Sequence, residues 1–153
     1  MLSLVSALGR WRGRRPGCAA SRLPVGLDVD QFLGLARLSF VHLQAAWDAG
    51  DMSTLRRLTT GPLLVDLCEQ LQARGARLNR TDVLDLQARL LAFEELREAF
   101  VASVEFSGLI REHDDADATE FRELWLLTRM KPGAQVPDPP PEAWQLAQVQ
   151  ALA

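Results

Sequence analysis

Phe100-Val-Ala-Ser-Val-Glu-Phe-Ser-Gly-Leu-Ile-Arg-Glu112, followed by Phe121-Arg-Glu-Leu-Trp125 and then by Trp144-Gln-Leu-Ala147, reads as three β-strands. In the first run apolar residues or Gly stand at every second position: Phe100, Ala102, Val104, Phe106, Gly108 and Ile110. Ser103, Glu105 and Ser107 lie between them. Successive side chains of a strand point to opposite faces, so this spacing turns one face to a core and the other away from it. The acidic stretch Glu112-His-Asp-Asp-Ala-Asp117 breaks the alternation, and the next run returns as the hairpin partner of the first. The spacing predicts the last two strands from about Glu120 to Met130 and from about Trp144 to Ala151. Between them the proline-dense Lys131 to Pro141 forms a surface loop, because each proline removes a donor and fixes φ.

Upstream the period changes. Val29, Phe32, Leu33, Ala36, Phe40, Leu43 and Trp47 recur at steps of three and four, which aligns one apolar stripe on a helix. Asp28 or Asp30 caps its start and Gly50-Asp51 stops it. A short helical turn from Ser53 to Leu58 follows. Thr59-Thr60-Gly61-Pro62 then opens another helix, with Leu63, Leu64, Leu67 and Leu71 on one face and Gly75 as its stop.

Residues 81–98 are ambiguous by local rules. Their composition favours a helix, yet Leu84, Leu86, Ala88, Leu90 and Ala92 alternate with Asp85, Gln87, Arg89 and Leu91. A strand from about Val83 to Phe93 is the better reading, since three strands with one open apolar face gain from a fourth.

The order FxxSVEFSGLIRE, FxExW and WxLA, with Leu43-Gln-Ala-Ala-Trp47 and Gly50-Asp51 before it, resembles the TIM forty-four-like domain family over residues 27 to 152. That family also places its first strand at residues 80 to 99. The resemblance implies an α+β architecture: N-terminal helices packed on a four-stranded antiparallel sheet, in the cone-like fold with an apolar pocket related to nuclear transport factor two. It also implies a non-catalytic binding domain that acts at a membrane surface through a lipid, a peptide or a partner protein. In mitochondria the family domain serves as a recruitment platform for the import motor. Two positions depart from the family pattern. Gly61 stands where a Pro is usual, and Gln148 replaces a Gly in the last strand, so the bulge that Gly allows is not expected here.

Charge divides the chain in two. The first 27 residues carry five Arg and no acid, and the remainder carries 12 bases against 20 acids, so an arm of +5 precedes a body of −8 within a total of −3. A body of that charge is repelled by phosphate backbones, which argues against nucleic acid as a partner. The expected organisation is a basic arm over residues 1 to 26 and one domain over 27 to 153. Arg10, Arg12, Arg14 and Arg15 would draw the arm to an anionic membrane, with Trp11 as an interfacial anchor. Met1 to Leu8 is apolar but far short of the ~20 residues that span a bilayer. Sixteen of the seventeen basic residues are Arg, the mark of a GC-rich, bacterial coding sequence. The expected location is therefore a bacterial cell, peripheral to the inner membrane or cytoplasmic.

Chemistry is sparse. Cys18 and Cys68 lie in dissimilar contexts and read as reduced thiols, and neither His42 nor His113 has a partner at metal-ligand spacing. Neither a metal nor a cofactor is expected. Phe40, Trp47, Phe106, Trp125 and Trp144 are the candidate pocket or core walls. Glu105 and Glu123 are placed to meet across adjacent strands, and structural carboxylates there should not titrate near neutrality. The alternative class is an enzyme that uses the cup of the fold as a small-molecule site around such a carboxylate.

Overall fold

The computed structural model describes residues 28–75, 80–112, 117–131 and 144–152. Three helices, α1 (Val29–Ala49), α2 (Met52–Leu58) and α3 (Gly61–Arg74), precede four strands. These are β1 (Thr81–Glu95), β2 (Ala99–Glu112), β3 (Thr119–Met130) and β4 (Gln145–Ala151), and they form an antiparallel meander in chain order. The basic arm, residues 113–116 of the acidic turn, His113 among them, and residues 132–143 of the proline-dense connection lie outside the described residues.

The helix boundaries follow their capping chemistry. Asp28 accepts from the Gln31 amide at 3.1 Å, and Gly50 closes α1 in the left-handed region at φ 68°. Asp51 repeats the device for α2, taking both the amide and the hydroxyl of Thr54. Thr60 stands at the start of α3 without a side-chain cap bond, and Pro62 occupies the first turn. Two ties lock the end of α1. Arg74 at the end of α3 donates to the Trp47 and Asp48 carbonyls and lies 5.1 Å over the Trp47 ring. The Asp48 carboxylate accepts from the backbone and hydroxyl of Thr81, where β1 begins.

One face of the sheet packs on the helices. Ala102, Val104, Phe106 and Ile110 of β2 are buried there, as the alternation predicts, beside Phe121, Trp125 and Leu127 of β3 and Leu146 and Val149 of β4. Phe40 of α1 is fully buried at the centre, with ring centroids 4.8 Å from Trp125, 5.0 Å from Phe106 and 5.5 Å from Phe121.

Two expectations about the strands are corrected. β1 is a strand, but its alternation breaks at Leu84 and Leu91, which stand at β-bulges without partners in β2. Each bulge reverses the facing of what lies beyond it, so Val83 and Phe93 join the core side, while Leu84 is exposed and Ala92 pairs with Ser103 on the far face. β4 is also irregular: its register against β3 shifts between Leu126 and Leu127, passing over Ala147 beside Gln148. Glycine is thus not required for that irregularity.

Gly108 shows why β2 carries a glycine inside a core-facing run. It sits at φ 155° opposite Leu86, next to the first bulge, and a Cβ there would run into the Asp85 carbonyl oxygen. The close approach of the two backbones needs a residue without a side chain.

Candidate binding groove

An apolar groove of about 200 Å³ opens between α1 and the Trp144 end of the sheet. Phe32 and Ala36 of α1 and Leu127 of β3 form its buried floor. Leu58 of α2 and Trp144 close its sides, and Leu35, Leu38 and His42 form the outer rim. Trp144 is held by edge contacts with Phe32 at 5.0 Å and Phe93 at 5.9 Å, so its orientation is fixed by packing. Ser39 and His42 supply the polar side chains of this lining.

Of the five predicted wall residues, Phe40, Trp47, Phe106 and Trp125 are packed in the filled interior, and Trp144 lines the groove. The groove therefore lies to one side of the aromatic centre instead of within it. Leu35, Leu38, Ser39, His42 and Leu58 escaped the sequence reading. Its helical stripe followed the core residues of α1, and the signal it passed over was a second apolar series on the same helix.

Glu105 and Glu123 do not meet. In the β2–β3 register Glu105 opposes Leu124, whereas Glu123 opposes Phe106, which puts the two carboxylates on opposite faces of the sheet. Glu105 receives Arg89 and Arg122 on one oxygen, both at 3.1 Å. The Arg122 guanidinium above all, with Arg89, holds its carboxyl below the usual range against the partial burial that pushes it up. Glu123 is a core residue, 1% exposed. Burial pushes its carboxyl up to about 7, and the Trp125 indole N–H, donating at 2.8 Å, offsets only part of this. The Oε1 oxygen of Glu123 has no hydrogen-bond partner among the described residues. The expectation that neither carboxylate titrates near neutrality is thus corrected for Glu123. A buried carboxylate needs hydrogen-bond partners for both oxygens, and a single indole donor meets only part of that need.

A second depression, open and more polar, lies on the far side of the sheet beside Gly108, between Asp85, Ser107, Glu120 and Arg122. Glu123 lines neither cavity. Among the described residues no group of three or more His, Cys, Asp or Glu is placed to hold a metal ion. Cys68 is a free thiol, and Cys18 lies outside the described residues. Among the described residues no helix is long and apolar enough to cross a membrane.

Residues 18–151 match the family model of the Tim44-like domain. The chain belongs to the Tim44-like domain family. No curated protein matches it. Among solved structures this Tim44-like domain is similar to a protein described as a nuclear transport factor 2 (NTF2-like) superfamily protein from Salmonella enterica subsp. enterica serovar Typhimurium str. LT2. The two are 10% identical, the alignment covers 82% of this chain and 92% of that one, and the TM-score is 0.44. The element order and sheet topology carry the α+β architecture, three helices on a four-stranded antiparallel sheet.

Proposed function

We propose that this Tim44-like domain is a non-catalytic binding module that takes an apolar segment in the groove between α1 and Trp144 while the chain is held at a membrane surface. The observation that carries the reading is the groove itself. Its 200 Å³ falls below the roughly 300–1,000 Å³ of small-molecule sites, and its walls are apolar apart from Ser39 and His42. Such a space suits one or two side chains of a peptide, or a short length of lipid chain, better than an enclosed metabolite. The basic arm supplies the second element: Arg10, Arg12, Arg14 and Arg15, with Trp11, would bring the −8 body to the anionic inner face of a bacterial membrane.

The test pairs native mass spectrometry of protein purified from its own host with a groove-filling variant, Ser39→Trp. The wild type should retain an apolar ligand that Ser39→Trp loses while keeping its circular dichroism. Equal retention by both, or no ligand and no binding of apolar peptides or lipid, overturns the reading.

One observation favours a second reading. A carboxyl raised to about 7 is what a general acid or base working near neutrality needs, and Glu123 has it. Acid–base chemistry on a small polar substrate would require an approach to Glu123 through the ring cluster. A small polar ligand that shifts the Glu123 titration, together with turnover lost in Glu123→Gln, would support the enzyme over the binding module.

A further inference from the structure

Helix α1 has two apolar faces, and the fold uses one of them. Phe32, Ala36, Phe40, Leu43 and Trp47 are buried. On the opposite side Leu35, Leu38 and Val41 are exposed by 50%, 55% and 43%. Gln31, Leu35, Leu38, His42 and Ala45 follow one another at steps of four, three, four and three, the seam spacing of a helix that packs along another helix. Gly34 and Val41 flank the seam on one side. None of these seven residues is Asp, Glu, Lys or Arg. The charged residues of α1, Asp30, Arg37 and Asp48, share a different azimuth, the one from which Asp48 reaches Thr81 of β1.

Helical periodicity places the outward residues three, four and seven positions from Leu38 in both directions. In an antiparallel pair of such helices crossing at Leu38, a residue on one faces the residue equally far on the other side of Leu38 on its mate. Leu38 then meets Leu38, Leu35 meets Val41, Gln31 meets Ala45 and His42 meets Gly34. Each unlike pairing sets a larger side chain against a smaller one, and the space over Gly34 is open, with nothing within 4 Å of where a Cβ would stand. A closed two-fold interface needs a patch complementary to itself, and these pairings meet that need in side-chain size. It is also the kind of contact two acidic bodies of −8 can make, because no like charges are brought together along it.

We infer that this surface docks a second copy of the same chain, forming an antiparallel α1–α1 dimer on a two-fold axis at Leu38. The contact runs over roughly 21 Å of helix from residue 31 to residue 45. It covers Leu35, Leu38 and His42 at the rim of the apolar groove, so each copy roofs the open side of its mate's groove. The inference does not rest on what the groove holds.

The experiment uses the full chain with Cys18→Ser and Cys68→Ser, followed by sedimentation velocity across a concentration series. The mass should rise from 17.0 kDa toward twice that value. Leu38→Glu places two carboxylates on the axis and should return the chain to the monomer with its circular dichroism unchanged, since Leu38 is exposed, and with a melting temperature that no longer rises with protein concentration. In a crosslinking arm with a short thiol-reactive linker, Leu38→Cys should join to itself. Ala45→Cys alone should not, and a mixture of Ala45→Cys with Gln31→Cys should. A monomer up to several milligrams per millilitre overturns the inference, as does a dimer indifferent to Leu38→Glu. Equal self-crosslinking at positions 38 and 45 indicates a parallel pair and overturns it too. A monomer that floats with lipid vesicles only while Leu38 is intact would assign the face to the membrane instead.

Discussion

The Trp125 indole N–H donates to the Glu123 carboxyl at 2.8 Å in the centre of the core, two residues away along one face of β3. This bond holds a titratable group where water does not reach. Between its ordinary 4.5 and about 7 the unfolded chain has released the Glu123 proton while the folded chain keeps it, so each step up in pH favours unfolding. Below that window the group costs nothing through ionisation; above it both states are ionised and the penalty is constant. Urea titrations should find the protein less stable at pH 8 than at pH 4.5 by up to about 3 kcal/mol from this group. Glu123→Gln should flatten that slope. Glu105 carries the opposite sign, its salt-bridge support fading as pH falls through its lowered pKa. A slope unchanged in Glu123→Gln would remove Glu123 as its source.

Trp125→Ala removes the donor and the ring together. The expected loss is roughly 3 to 5 kcal/mol, at the upper end because Glu123 is left without its partner and Phe40 loses a stacked neighbour. Trp125→Phe keeps most of the volume and isolates the cost of the bond. Denaturant midpoints compared at one pH give both numbers.

Gly108→Ala tests the close passage of β1 over β2. A methyl group at that site meets the Asp85 carbonyl, so the backbones must separate, at a cost of at least ~1 to 3 kcal/mol. Gly34→Ala, where a Cβ meets nothing, is the control and should leave the melting temperature of the monomer unchanged or slightly raised.

The full chain should float with anionic liposomes and lose that binding as ionic strength rises, since screening shortens the reach of surface charge to roughly 10 Å at 0.1 M. A chain beginning at Leu27 should bind far less. Equal binding by both forms would move the membrane contact from Arg10, Arg12, Arg14 and Arg15 to the folded domain.

The sequence disclosed the parts of this fold that are governed by neighbours along the chain. Asp28 and Gly50 bound α1 through their own side chain and φ, and the alternation from Ala102 to Ile110 is a local period. The bulges at Leu84 and Leu91 depend instead on which β2 residue lies opposite, and an uninterrupted Leu and Ala alternation conceals them. Glu123 could be placed on the Trp125 side of its strand by counting, but its burial depends on α1 packing over that face, which no spacing along β3 records. The groove was illegible for a similar reason. It is a gap between α1, α2 and Trp144, and its floor consists of residues that individually read as ordinary core.

The two bulges in β1 also bear on how the molecule keeps to itself. A 15-residue strand at the margin of a sheet is a template onto which a foreign strand can zip. Leu84 and Leu91 each put that margin out of step, so an incoming strand in regular register meets interruptions near both ends. At the other margin the Thr60 amide already occupies the Leu146 carbonyl at 2.9 Å. Both borders of the sheet are thus poor seeds for polymerisation, and a chain rich in apolar strands is protected from aggregating through the surface that makes such chains most prone to it.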